Sequence, residues 1–143
     1  MSNYQHILAA VDLGEHSETV CSKARQLAES FGAKLTLIHV IEVAPMESMA
    51  EALVPTVDLP DDLVRSAKTR LAALSEKQQL EGCEQEVRYG NIKFEIVTFA
   101  REIAADLIIL GSRERHGAAI LVNYTEDTVL HAAPCDVLAI RVP

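Results

Sequence analysis

No apolar run in this chain approaches the ~18 residues that a membrane-spanning helix needs, so no such helix is expected. Positive charge is also in short supply. Lys and Arg number 13 against 21 Asp and Glu, for a formal net charge of −8. Nucleic-acid backbones and anionic membranes are gripped by clustered cations, and neither is expected as a partner. A small anion held by backbone amides remains compatible with that charge. Cysteine is scarce: Cys21, Cys83 and Cys135 are odd in number, far apart and without Cys-x-x-Cys spacing. A disulfide framework and a zinc site are thereby excluded, and a reducing compartment fits. All three read as small buried hydrophobes rather than reactive thiols. The opening Met-Ser-Asn-Tyr-Gln-His lacks the basic stretch of an export signal, so the expected location is cytoplasmic.

Recognisable catalytic apparatus is missing too. There is neither a Walker loop nor a serine-glycine-glycine phosphate loop, and no Ser-His-Asp or Cys-His arrangement can be assembled from neighbours in sequence. No carboxylate pair has an evident acid/base role. A response-regulator receiver would need an acidic pair after its first strand, but Leu13 follows Asp12. No catalytic residue and no metal ligand set can be named, and an enzyme is the weaker expectation.

What is present is a strong rhythm. Hydrophobic residues make up 49% of 143 positions, enough to bury a sizeable core in one domain spanning 1–143. His6 to Val11 reads as a first strand. From Ser17 to Phe31, Val20, Ala24, Leu27, Ala28 and Phe31 recur at helical spacing, and Gly32 supplies a stop. Lys34 to Val40 is a second strand, so the connection is β-α-β and predicts parallel pairing. Residues 42–59, with Pro45, Pro55, Met46 and Met49, break the rhythm and read as a surface loop with a short helical turn over 47–53. Pro60, Asp61 and Asp62 open a helix whose stripe is Leu63, Ala67, Leu71 and Leu74, closed by Gly82. Glu86 to Tyr89 is a third strand. Asn91 caps the next helix, which buries Ile92, Ile96, Phe99, Ala100 and Ile103. A fourth strand, a helix to about Ala132 and a last strand, Asp136 to Val142, complete an α/β three-layer sandwich of five strands and four helices.

The stretch around which the rest is arranged is Asp106-Leu-Ile-Ile-Leu-Gly-Ser-Arg-Glu-Arg-His-Gly117. Its apolar run Leu107–Leu110 reads as a strand buried on both faces, stopping at Gly111 and followed by a charged loop. A strand, a glycine turn and a helix N-terminus form the usual seat for an anion in an open α/β sheet.

Four segments in this order resemble the universal stress protein family: His6-Ile-Leu-Ala-Ala-Val-Asp-Leu-Gly-Glu-His-Ser17, Ala33-Lys-Leu-Thr-Leu-Ile-His-Val40, Ala105-Asp-Leu-Ile-Ile-Leu-Gly-Ser-Arg113 and His131-Ala-Ala-Pro-Cys-Asp-Val-Leu138. The resemblance implies a parallel sheet of order 3-2-1-4-5, the adenine nucleotide alpha hydrolase-like arrangement, with a ligand crevice where the winding reverses. Ala10, Val11 and Asp12 would face Gly111, Ser112 and Arg113 there, with Val40 at the end of the neighbouring strand. Nucleotide-binding members of the family seat adenine against the backbone after strand two. They hold the phosphates in a signature of Gly, two residues, Gly, nine residues, Gly, then Ser or Thr.

Here that signature is damaged. Gly111 matches its first glycine, but the second falls on Glu114. The third glycine and the hydroxyl fall on Asn123-Tyr124 or on Tyr124-Thr125, depending on the direction of counting. Glycines there would let amides close on phosphate oxygens; a tyrosine side chain crowds that approach, and a carboxylate repels the charge. Against this, Arg113, Arg115 and His116 lie in the same loop, Gly117 could act as a shifted glycine, and Asn123 tolerates positive φ. The expectation is loss of tight ATP binding, with ATP or AMP (with magnesium) as the rival ligand and slow hydrolysis as its accompaniment.

Asp12 either touches the ligand or orders its own turn. His39, within a strand, reads as a hydrogen-bonded boundary residue. The last strand, with Val137, Leu138, Ala139, Ile140, Arg141 and Val142, is almost entirely apolar at a sheet edge, which invites another chain. The resemblance implies a homodimer through it. The expected function is a stress-response dimeric binding or signalling module. The alternatives are an adenine-nucleotide-binding member and a regulatory subunit for an unknown protein partner such as a transporter or enzyme.

Overall fold

The computed structural model describes residues 4–42, 59–80, 82–113, 129 and 131–142. Five apolar segments become strands: β1 (His6–Ala10), β2 (Lys34–Glu42), β3 (Glu84–Gly90), β4 (Leu107–Arg113) and β5 (Asp136–Val142). They form one sheet in the order β3-β2-β1-β4-β5, and every pairing is parallel. Three helices serve as crossovers: α1 (Ser17–Phe31), α2 (Leu59–Lys77) and α3 (Ile92–Glu102). Of the fourth expected helix, Val129, His131 and Ala132 are described and helical, so it ends where the sequence placed its end. Its body and the 43–58 segment lie outside the described residues.

Side chains alternate across a strand, and here the alternation divides the core in two. Ile7 and Ala9, Leu35 and Leu37, and Leu107 and Ile109 face one layer with Val20, Cys21 and Ala24 of α1 and Ala67 and Leu71 of α2. Leu8, Ile38 and Val40, and Ile108 and Leu110 face the other with Ile96, Phe99 and Ala100 of α3 and with Val129. A sheet covered on both faces accounts for the near-continuous apolar strands. Registration at the amino ends is fixed by Asp106, whose carboxylate accepts from the backbone N–H of Gln5 (2.9 Å) and His6 (3.0 Å). The His6 ring bridges Thr36 Oγ1 (2.8 Å) and the Ile103 carbonyl (3.1 Å), tying β1 to β2 and to the end of α3.

Several boundaries differ from the sequence reading. Helix α1 has the expected bounds, and Gly32 at φ 63° donates to the carbonyls of Ala28 and Glu29, a left-handed stop. Helix α2 stops at Lys77, well before Gly82, because Gln79 takes the left-handed conformation (φ 60°). Leu63, expected in the buried stripe of α2, is 40% exposed, since α2 turns its Ala67–Leu71–Ser75 line inward. Strand β3 begins at Glu84, two residues early, because pairing with β2 starts at Thr36. Strand β4 does not stop at Gly111 but continues through Arg113, held by β5 in the register Gly111↔Ile140, Ser112↔Arg141 and Arg113↔Val142. The apolar run ends at Leu110, but backbone pairing does not need apolar side chains.

Candidate functional site

The crossovers run to opposite sides of β1 and β4, leaving a gap beyond their carboxyl ends. A crevice of about 490 Å³ lies there, a size suited to a small ligand. Its two walls differ in chemistry. On the α3 side are Ile38, Val40, Ile92, Ile96 and Leu110, all apolar. On the α1 side are Asp12, His16, Ser17 and His39, with Val20 and Val142 beneath them.

The β1–α1 loop shapes the polar wall. Asp12 Oδ1 accepts from the Gly14 N–H (2.8 Å) and the Ser17 hydroxyl (3.0 Å), so this carboxylate orders the turn. Leu13 between them adopts φ 60°, a conformation costly for a non-glycine residue. Two contacts hold it there: its side chain is buried against the α1–α2 core, and Arg70 of α2 donates from Nη2 to its carbonyl at 2.6 Å.

Val11 is committed on both sides. Its N–H donates to the Ile38 carbonyl (2.9 Å), and its carbonyl accepts from Nδ1 of His39 (2.8 Å). Gly111 owes its lack of side chain to packing: a Cβ there would stand 3.1 Å from Val20 Cγ2, and φ is positive only at Gly32, Gly82 and Gly90 among the described glycines.

The structure therefore gathers Ala10, Val11, Asp12, Val40 and Gly111 around one crevice. Ser112 and Arg113 belong to β4 rather than to a loop. His116, Gly117, Asn123, Tyr124 and Thr125 lie outside the described residues. Sequence reasoning did not place His16, Ser17, Val20, Ile38, His39, Ile92, Ile96 or Leu110 in the site. A signal existed for two of them: Ile92 and Ile96 are one turn apart directly after the Asn91 cap, so they stand at the strand-end side of α3. Val142, assigned to a dimer interface, is buried and lines the crevice.

Burial disfavours the thiolate at each cysteine. Burial pushes the Cys21 thiol up to about 12 and that of Cys83 to about 11, and Cys135 is raised by burial as well. Among the described residues no cluster of three or more His, Cys, Asp or Glu could hold a metal ion, and no helix is long and apolar enough to cross a membrane.

This sheet order with a crevice at its reversal is shared by several families, so the sequence match decides among them. The model of the universal stress protein family matches residues 3–141. The chain belongs to the universal stress protein family. It is 37% identical to universal stress protein A homolog 2 of Coxiella burnetii over 143 residues, covering 99% of this chain and 98% of that one. The structure of universal stress protein UspA from Lactobacillus plantarum superposes with a TM-score of 0.76 at 26% identity, covering 99% of this chain and 100% of that one. A universal stress protein from Archaeoglobus fulgidus, in complex with dAMP, has the same fold, with a TM-score of 0.63 at 21% identity over 97% of this chain and 99% of that one. Within the family frame, the altered Val-Asp-Leu opening coincides with the strained Leu13, and the first glycine of the phosphate signature coincides with Gly111 packed on Val20.

Proposed function

We propose that this universal stress protein is a stress-response binding module whose crevice takes an adenine nucleoside or its monophosphate through base and sugar, without tight hold on a triphosphate and without catalysis of its own. The observation that carries this is the asymmetry of the crevice: an apolar wall of Ile38, Val40, Ile92, Ile96 and Leu110 faces a polar wall of Asp12, His16, Ser17 and His39. A flat heteroaromatic base gains from the first wall by burial. The second offers hydrogen-bonding groups to hydroxyls. The dAMP complex of the Archaeoglobus protein lends support, since a protein of this fold there holds a deoxyadenosine monophosphate. Gly111 fits the reading as well, because its packing against Val20 accounts for a glycine that would otherwise argue for a phosphate nest.

The module acts in the cytoplasm as one domain and as a homodimer through β5. Support for the dimer is the contrast between the two sheet edges. Strand β3 carries Glu84, Glu86 and Arg88, charges that blunt an edge, whereas β5 presents Leu138 (38% exposed) and Ala139.

Thermal-shift titrations with adenosine, AMP and ATP, each with and without magnesium, test the ligand. A ligand that binds only the folded state stabilises by roughly 2.7 kcal/mol at 100 times its Kd. Adenosine and AMP are expected to shift Tm about equally, and magnesium-ATP no more than AMP. A magnesium-dependent ATP shift far above that of AMP would restore the phosphate nest, and a flat series for all three would leave a protein-interaction subunit.

A further inference from the structure

We infer that His39 is a specificity residue of the crevice, its Nε2 accepting a hydrogen bond from a sugar hydroxyl of the ligand; this rests on the adenine-nucleoside reading and names how its sugar is recognised. The polarity of the imidazole is fixed by the backbone. Nδ1 lies 2.8 Å from the Val11 carbonyl, and a carbonyl oxygen can only accept, so Nδ1 carries the proton. In the neutral ring, Nε2 is then an acceptor. Val11 cannot easily yield, because its N–H is bonded to the Ile38 carbonyl at 2.9 Å. The ring is thus held from the strand that carries it and from the neighbouring strand, and it lines the crevice. Among the described residues, Nε2 has no hydrogen-bond partner.

The rest of the polar wall decides what Nε2 meets. The Ser17 hydroxyl already donates to Asp12 Oδ1, and His16 Nε2 lies 3.4 Å from Glu15 Oε1. What this wall offers inward is therefore acceptor character, at His39 Nε2. An acceptor wall suits groups that donate. Of the parts of an adenine nucleotide, the base is matched by the apolar wall opposite, and the ionised phosphate has only acceptors of its own. The sugar hydroxyls are the donors left to face His39.

Calorimetric titration of the wild type with adenosine, 2′-deoxyadenosine and 3′-deoxyadenosine tests this. Loss of one of the two hydroxyls is expected to weaken binding about 5–10-fold, the net worth of one hydrogen bond. In His39→Phe, which keeps the ring but not the nitrogen, adenosine and that deoxy analogue should bind alike. His39→Gln, with an acceptor at similar reach, should recover part of the preference. Nitrogen NMR of the wild-type ring at neutral pH should show Nδ1 protonated and Nε2 bare, a readout that needs no variant to fold. A protonated Nε2 in the neutral ring would overturn the inference. So would equal binding of all three nucleosides by the wild type, or a hydroxyl preference that survives in His39→Phe. If adenosine binds without hydroxyl preference, the ligand reading stands and only the role of His39 falls; if adenosine does not bind, both fall.

Discussion

At Gly111 the missing side chain is a packing requirement, and substitution exposes it. A Cβ at 3.1 Å from Val20 Cγ2 forces that valine to move, so Gly111→Ala should cost about 1–2 kcal/mol by overpacking. Combining it with Val20→Ala should make the two effects less than additive in chemical denaturation, because the second change removes the clashing methyl. Leu13 presents the opposite case, a side chain retained at φ 60°. Truncation to alanine loses the buried side chain and keeps the backbone penalty, while truncation to glycine loses the same side chain and relieves it. Leu13→Gly should therefore be the more stable of the two by about 1 kcal/mol, the reverse of the order expected in a helix. Cys21 links a residue to pH. Its thiol is raised from 9.0 to about 12 in the fold, so between those values the unfolded chain has released a proton that the folded chain retains. Stability falls as pH rises through that window, and Tm measured from pH 9 upward should fall less steeply in Cys21→Ala than in the wild type.

Elements of this fold begin and end where side chains meet backbone. Asn91 is the clearest example: in extended conformation it accepts from the Phe94 N–H at 2.9 Å and opens α3. Asn91→Ala should cost about 1 kcal/mol in urea denaturation, and Asn91→Ser should cost little. Because Ile92 and Ile96 stand on the first two turns of that helix and line the crevice, the alanine variant should also weaken adenosine binding, which the same calorimetric titration would read. Where a boundary was misjudged, hydrogen bonds not evident from the residue pattern had set it. Gly82 looked like the stop of α2, but the chain already leaves the helix at Lys77. There Ser75 donates from Oγ to the Leu80 carbonyl (2.9 Å) and the Leu80 N–H donates to the Ser75 carbonyl (2.8 Å), folding the exit back on the last turn. Arg88, at the β3 edge, lies near Glu86, Glu95 and Glu102 and over the Phe99 ring, joining strand and helix.

For the whole molecule the open question is assembly. If two chains meet edge to edge at β5, a charge on the exposed face of that strand should separate them without unfolding either. Leu138→Lys is expected to halve the sedimenting mass to that of the 15.6 kDa chain while the far-ultraviolet dichroism stays the same. A wild type that already sediments as one chain would remove the dimer. Strand β5 also reaches the crevice through buried Val142, which stands 4.0 Å from the position of a Gly111 Cβ, so the proposed interface and the proposed ligand site share one strand.

Apolar periodicity by itself determined the alternation of strands and helices and their approximate extents, because burial on two faces demands it residue by residue. The family likeness, carried by four short segments in order, determined the order of strands and hence where the crevice lies. Neither could decide what Asp12, Gly111 and His39 do. The first orders its own turn, the second makes room for Val20, and the third hangs on the Val11 carbonyl. Each of these depends on a distance across elements. Local sequence encodes which residues seek the interior, and only the closed fold fixes which atoms find themselves within reach of one another.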